Sequence, residues 1–214
     1  MRLLRVFLIG FLYFFGFFLN LNANIAAPSG LEWGKSKSNM TADGYTFSGC
    51  TLLLEGAIEY CNTVVKKPIS FAESYTVYFI EDYGLLKVWV SGQTISSDIY
   101  GTNGKEKYNG VKKSLINKYS ESEGYKANSY EWIGQKLYNE SDEFYQCLAY
   151  DGCGTHITYI SSKDGASNKG IVSVERLGLN RGSGYISLTY ESDEWGEALD
   201  SANAKQNQAD EDAF

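Results

Sequence analysis

The sequence predicts an α+β protein with a mostly antiparallel sheet, one amphipathic helix covering that sheet, a C-terminal helix and disulfide staples. Short segments rich in β-branched and aromatic residues alternate with Gly, Asp and Asn turns along most of the chain. The stretch 104–120 instead repeats its apolar residues at helical spacing. Four cysteines follow an N-terminal segment typical of exported proteins, and this combination favours disulfide bonds.

The composition indicates one folded domain. The chain has 214 residues, of which 43% are hydrophobic, and this length suits a single core. Its formal net charge is −7, so we expect no binding to nucleic acid or to an anionic membrane. We expect residues 28–205 to form the globular domain and residues 206–214 to form a flexible acidic tail.

Residues 1–27 are typical of a secretory signal peptide. Two arginines precede the uncharged apolar run 6–19, and two small alanines end the segment. The run is shorter than the ~20 residues that span a bilayer as a helix. We therefore expect cleavage after Ala27, with Ala23 as the second choice, and a periplasmic or secreted protein without a stable membrane anchor. An uncleaved N-terminal anchor is the alternative.

The strands are predicted from short apolar runs and the turns between them. Residues 30–49 are polar, and we expect an ordered segment that packs Trp33 against the domain. A first hairpin joins 52–54 to 58–60, and the clearest hairpin joins 75–80 to 85–91 through Asp82-Tyr83-Gly84. Further strands are predicted at 95–100, 130–138, 142–150, 155–161, 170–177 and 184–190, with turns at 163–165 and 180–182.

Two helices are predicted. In the stretch 104–120, every third or fourth residue is apolar while lysines mostly occupy the other side, which is typical of a helix covering a sheet. Thr102 or Asn103 is expected to cap its N-terminus. Residues 194–205 predict the C-terminal helix, with Trp195 and Leu199 turned inward.

The four cysteines are predicted to pair locally. A two-residue turn at Glu55-Gly56 pairs positions whose numbers sum to 111, and this sets Cys50 opposite Cys61. Cys147 and Cys153 would close a small loop. Free thiols are an alternative, whereas the spacings Cys-x10-Cys and Cys-x5-Cys fit no common zinc pattern.

Motifs of the common enzyme classes are missing. The single histidine, His156, lies in a predicted strand, and we expect it to be a structural or surface residue without a catalytic role. The segment 101–106 has a Gly-Lys pair before a helix but lacks the glycine spacing of a phosphate-binding loop. We therefore expect no catalytic residue, no metal site and no cofactor. Distant carboxylates could still converge in the fold, so an enzyme without a recognisable motif stays an alternative.

Tyrosines on the predicted strands supply a candidate binding surface. Tyr75 and Tyr78 point to opposite faces of one strand, so both faces are apolar or amphipathic. One face can be core, while the other needs a helix or a partner to cover it. Ordinary core and sheet-surface packing is the first interpretation of these tyrosines, and a surface for a protein partner or a glycan is the second. The candidate surface residues are Tyr75, Tyr78, Trp89, Tyr145 and Tyr159.

Two segments resemble small exported bacterial domains of unknown function. Residues 30–36, Gly-Leu-Glu-Trp-Gly-Lys-Ser, are similar to the short Trp-Gly opening of such domains. Residues 98–101, Asp-Ile-Tyr-Gly, together with the lysine-rich helix after them, are also similar to segments of these proteins. The resemblance implies export and a small α+β domain with one or two packed helices. It implies no catalytic residue.

The favoured hypothesis is an exported, non-enzymatic protein that acts through a protein-binding surface. An inhibitor or immunity-type protein directed against an envelope-acting enzyme is one form of it. Because the chain is acidic, the expected partner is basic. The first alternative is a carbohydrate- or peptidoglycan-binding module, which a clustered row of aromatic residues on one open face would favour. The second alternative is the enzyme without a recognisable motif.

Overall fold

The computed structural model describes residues 24–54, 57–119, 124–134, 137–163 and 169–212. Within these ranges the chain forms an eight-stranded antiparallel sheet with four α-helices, which confirms the predicted α+β class. The elements are α1 (Lys37–Ala42), β1 (Phe47–Leu53), β2 (Ile58–Thr63), β3 (Ala72–Ile80), β4 (Gly84–Gly92), α2 (Thr102–Lys118), β5 (Tyr125–Ile133), α3 (Phe144–Ala149), β6 (Gly154–Ser162), β7 (Ile171–Asn180), β8 (Ser183–Glu191) and α4 (Trp195–Asp212).

The sheet consists of two four-stranded meanders placed side by side. Its strand order is β1-β2-β3-β4-β8-β7-β6-β5, so the last strand of each meander lies at the centre. There β4 and β8 pair antiparallel, with Trp89 opposite Thr189. Helix α2 connects the two meanders and packs against β6, β7 and β8.

One side of the sheet, here called the covered side, holds the main core. Tyr108 and Leu115 of α2 belong to one buried cluster with Val77, Val88 and Val174 of the sheet. Residues of the N-terminal segment 25–45 belong to the same cluster, and the Gly34 N–H donates to the Leu85 carbonyl at 2.9 Å. Trp33 packs against this cluster, as the sequence predicted.

The other side carries a smaller core at the β2–β4 end. Ala198 and Ala202 of α4 pack with Ile58, Ile80 and Leu86. The α4 helix continues to Asp212, whereas the sequence predicted that it would end at Lys205 before a flexible tail. No helix in the described part of the chain is long and apolar enough to cross a membrane.

Helix α3 replaces the strand that the sequence predicted at 142–150. Glu140 and Glu143 form a capping box that starts a 3-10 turn at Ser141–Glu143, and α3 follows directly. The buried residues of α3 are Phe144, Tyr145 and Cys147, a spacing that suits a helix. The strand prediction was therefore wrong because aromatic content outweighed this local capping signal.

Glycines make room for Tyr145 at the centre of the covered side. A Cβ on Gly104 would lie 2.1 Å from the Tyr145 hydroxyl, and one on Gly184 would lie 2.3 Å from the Tyr145 ring. A Cβ on Gly178 would lie 1.9 Å from the Tyr145 carbonyl oxygen. These distances are far below van der Waals contact, so α2, β7 and β8 can approach α3 only through glycine.

The Asp98 carboxylate caps α2 and holds Tyr145. It accepts hydrogen bonds from the Asn103 N–H at 3.1 Å, the Gly104 N–H at 2.9 Å and the Tyr145 hydroxyl at 2.9 Å. Burial acts to raise the pKa of Asp98, but these hydrogen bonds outweigh it and the pKa is lowered. The predicted caps, Thr102 and Asn103, were wrong. Neither side chain caps the helix, because the chain enters it through Gly101 in the left-handed region.

Both predicted disulfides are confirmed. Cys50–Cys61 joins β1 to β2, and Cys147–Cys153 joins α3 to the residue before β6. Thr51 opposite Tyr60 and Leu53 opposite Ile58 show the predicted register, although the turn at 55–56 lies outside the described residues.

Two other predicted strands differ from the structure. The predicted strand 95–100 is reduced to a single bridge between Ile95 and Gly184. The strand predicted at 130–138 is β5, which begins five residues earlier and ends at Ile133. The predicted turn at 163–165 lies mostly outside the described residues.

We expect Gly178→Ala to lower the free energy of unfolding by about 1–3 kcal/mol, because the added methyl group forces α3 away from β7. Urea unfolding followed by circular dichroism measures this change. Gly196→Ala is the matched control, since its Cβ meets no atom within 4 Å and α4 should gain up to about 1 kcal/mol in helix propensity. Equal stability of Gly178→Ala and the wild type would contradict the packing of α3.

Candidate functional site

Aromatic side chains are exposed on the side of the sheet opposite α2 and α3. The exposed fractions are 56% for Tyr130, 49% for Trp132 and 38% for Tyr159. Neighbouring strands add the half-buried aromatic residues Trp89 and Tyr185 and the carboxylates of Glu175 and Glu191 on the same side. We call this region the aromatic surface and define it by Trp89, Tyr130, Trp132, Tyr159, Glu175 and Tyr185.

The sheet register arranges the aromatic surface in rows across the strands. In one row, Tyr159 pairs with Ser173, Ser173 with Thr189, and Thr189 with Trp89. Paired residues point to the same side, and three strand spacings separate Tyr159 from Trp89 by roughly 14 Å. Small hydroxyl side chains thus form the floor between two aromatic residues.

The next row places Glu175 at the centre of this surface. Tyr130 pairs with Ile157, Ile157 with Glu175, and Glu175 with Ser187. A shallow cavity of about 240 Å³ lies along the two rows, and its lining includes both Glu175 and Glu191. Lys87 neutralises Glu191 through an ion pair of 2.8 Å.

Glu175 is a half-buried carboxylate without a hydrogen bond or ion pair to any described residue. Burial raises its pKa. The pKa values of Tyr159 and Tyr185 are raised as well, first by burial and then by the charge of Glu175. The aromatic surface therefore holds one uncompensated negative charge near two tyrosine side chains.

Three of the five residues predicted from the sequence lie on this side. Trp89 and Tyr159 belong to the aromatic surface, and Tyr78 lies at its edge, where the Trp195 ring packs 6.2 Å away. Tyr75 and Tyr145 are only 5% and 0% exposed, so they cannot contact a partner and are corrected to core residues.

The candidate surface residues predicted from the sequence did not include Tyr130, Trp132, Glu175 or Tyr185. The strict alternation in Tyr130-Glu131-Trp132 was an available signal, because an edge strand with aromatic residues on one face indicates a usable surface. Glu175 could not be chosen from the sequence. Its neighbour Arg176 is also charged, and alternation does not tell which of the two faces the core.

Arg176 forms a second cluster of ionisable groups, on the covered side. Its guanidinium carbon lies 4.1 Å from the centre of the Phe144 ring and 5.6 Å from that of Tyr108. Burial lowers the pKa of Arg176 to about 10, although the nearby Asp98 and Glu131 oppose this. Arg176 is only 1% exposed, so its guanidinium group is shielded from solution.

His156 lies beside that cluster. Its ring centre is 5.5 Å from that of Phe144 and 6.0 Å from that of Tyr108. Burial, together with the charge of Arg176, lowers the pKa of His156 to about 4, so the imidazole is neutral near pH 7. That His156 has no catalytic role stays a prediction.

Cys50, Glu59 and Cys61 are the one trio of potential metal ligands that lies close together in the described residues, with ligand atoms within 4.8 Å. The two sulfurs are bonded to each other, and Glu59 accepts from the Lys37 ammonium at 2.5 Å. This trio therefore offers no thiolate to a metal ion.

Comparisons with known proteins point to no family for this chain. No protein-family model, no curated protein and no solved structure matches it significantly.

We expect Glu175→Gln to raise stability at pH 7 by up to about 1 kcal/mol, a value that allows for partial exposure of the side chain. The folded-state pKa of Glu175 is raised, so its contribution to stability is full below the ordinary carboxyl pKa and is lost as the pH rises through the raised pKa. The gain should therefore disappear below about pH 4.

Urea unfolding at both pH values measures the effect. Glu191→Gln is the matched control, because it removes the ion pair with Lys87 and should not stabilise the protein. A Glu175→Gln variant that is less stable than the wild type at pH 7 would show that the carboxylate has a favourable partner.

Proposed function

We propose that the protein is exported and non-enzymatic, and that it binds a basic partner protein through the aromatic surface. The observation that carries the proposal is Glu175, an uncompensated carboxylate near Tyr159 and Tyr185. An isolated charge on a half-buried surface costs stability in the free protein. A partner that supplies the opposite charge would remove this cost.

The chemistry of the surface suits an arginine or lysine side chain. The carboxylate of Glu175 can accept hydrogen bonds from a guanidinium or ammonium group. The tyrosine rings beside it can add cation–π contacts and large contact area. Ser173 and Thr189 form a low floor, which leaves space for a side chain between Tyr159 and Trp89. An inhibitor or immunity-type role would use such a surface to occupy a basic enzyme.

The charge of the whole chain supports a basic partner. The sequence contains 26 acidic and 19 basic residues, and the first 23 residues hold two of the arginines and no acid. Without that segment the net charge is −9. A surplus of this size attracts basic proteins over distances of about a Debye length and speeds their association.

The two disulfides support export. Disulfides form and persist in oxidising compartments and are rare in the cytosol. A periplasmic or secreted location suits both these bonds and the signal-like N-terminal segment.

A glycan ligand is the second candidate. The observation that favours it is the grouping of Tyr130, Trp132 and Tyr159 on one exposed face, where Tyr130 and Tyr159 lie 6.1 Å apart between ring centres. Aromatic rings next to hydroxyl and carboxylate groups also suit sugar rings. We favour the protein partner because a neutral sugar leaves the charge of Glu175 uncompensated.

We expect immobilised mature protein to capture a basic protein from envelope extract, and the purified partner to bind with reduced affinity to Glu175→Gln and to Tyr159→Ala. A loss of about tenfold for each would correspond to about 1.4 kcal/mol. Glu197→Gln is the matched control, because it makes the same charge change on the exposed side of α4. Surface plasmon resonance measures the affinities.

Equal binding by Glu175→Gln and Glu197→Gln would contradict the role of the aromatic surface. Sedimentation with insoluble peptidoglycan tests the second candidate. Binding to peptidoglycan that is lost in Tyr159→Ala, without capture of a basic protein, would favour the glycan.

We expect the mature chain to begin at Asn24, after cleavage at Ala23. Ile25 is 1% exposed in the main core, and its carbonyl accepts a hydrogen bond of 2.7 Å from the Trp33 indole. Cleavage after Ala27 would remove these contacts. Because of this packing, we now favour cleavage after Ala23, the second of the two sites expected from the sequence. Intact-mass measurement of the exported protein decides between the two. A chain that begins at Pro28 would contradict this expectation.

A further inference from the structure

An apolar cleft on the covered side of the sheet lies between α2 and the segment that leads into β3. Its volume is about 490 Å³, which falls in the range of small-ligand sites. Leu115, Leu188 and Tyr190 are buried residues of its lining, and Phe71 lies on the wall opposite α2. Gly110 faces this cleft, and a Cβ there would meet no atom within 4 Å.

Two lysines flank the cleft. Lys107 and Lys118 both line it from α2, and their separation of 11 positions corresponds to about 16 Å along the helix. Their ammonium groups lie 5.7 Å and 4.8 Å from the ring centres of Phe71 and Tyr119. Neither lysine forms an ion pair with a described residue.

The cleft is positively charged in a protein with a large negative surplus. Its lining contains these two lysines and no acidic residue among the described positions. An apolar floor with cations at its ends matches a molecule that has an apolar chain and an anionic head group. An uncharged apolar ligand would form no ion pair with the lysines, and a small anion without an apolar chain would leave the apolar floor exposed to water.

We propose that this cleft binds a single-chain amphiphile with an anionic head group, such as a fatty acid or a lysophospholipid. The apolar chain lies along Leu115, Leu188 and Tyr190, and the head group pairs with Lys107 or Lys118. The site is separate from the aromatic surface, because it lies on the covered side of the sheet.

Isothermal titration calorimetry of the full mature chain tests the proposal. The probes are sodium dodecanoate, a twelve-carbon lysophosphatidylglycerol and uncharged dodecyl maltoside, each below its critical micelle concentration. We expect at least one anionic probe to bind about tenfold or more tightly than the maltoside. The stronger of the two anionic probes identifies whether the head group is a carboxylate or a phosphodiester.

Two variants locate the binding. Gly110→Phe places a ring in the open cleft and should abolish binding, while Lys107→Gln with Lys118→Gln should remove the preference for the anionic probes. Lys113→Gln is the matched control, because Lys113 lies on α2 but does not line the cleft. Circular dichroism verifies the fold of each variant.

The proposal is overturned if neither anionic probe binds up to about 1 mM, a limit of about −4 kcal/mol. Equal binding of dodecyl maltoside and the anionic probes would also overturn it. If Gly110→Phe fails to fold, the double variant Lys107→Gln with Lys118→Gln decides the question. An unchanged preference of this double variant for the anionic probes would contradict the proposal.

Discussion

The carboxylate of Asp98 connects parts of the chain that are far apart in sequence. It accepts hydrogen bonds from N–H groups in the first turn of α2 and from the hydroxyl of Tyr145 on α3. Tyr145 in turn fits against Gly178 and Gly184, so one side chain fixes two helices on the same side of β7 and β8. A buried carboxylate that lost any of these donors would carry a large desolvation cost. The arrangement closes the covered side around Arg176, apart from the cleft beside α2.

The two sides of the sheet therefore differ in how much of their surface is covered by helices. The N-terminal segment, α2 and α3 all pack on one side, while α4 packs on the other side at the β2–β4 end. The second meander therefore presents Tyr130, Trp132 and Tyr159 to solvent. Glu175 lies in this region without a counter-charge, which does not help the free protein to fold. This unfavourable charge on an open aromatic surface supports the proposed binding role.

The sequence predicts those parts of the fold that depend on local pattern. The hairpin of β3 and β4, the register that pairs Cys50 with Cys61, and α2 all follow from alternation, turn residues or helical spacing. The strand predicted at 142–150 was wrong because the aromatic content of the segment outweighed the local capping signal of Glu140 and Glu143. The candidate site was predicted in part. Alternation shows that Glu175 and Arg176 face opposite sides, but only the docking of α2 and α3 decides that Arg176 is buried.

Hydroxyl-radical footprinting of the free protein, read by mass spectrometry, measures directly whether one side of the sheet is more exposed to solvent than the other. Comparison among tyrosines removes differences in intrinsic reactivity. We expect fast oxidation of Tyr130 and Tyr159, which are 56% and 38% exposed, and strong protection of Tyr108 and Tyr145, which are at most 1% exposed. Protection of Tyr130 and Tyr159 equal to that of Tyr108 and Tyr145 would show that this side of the sheet is already covered and is not free to bind a partner.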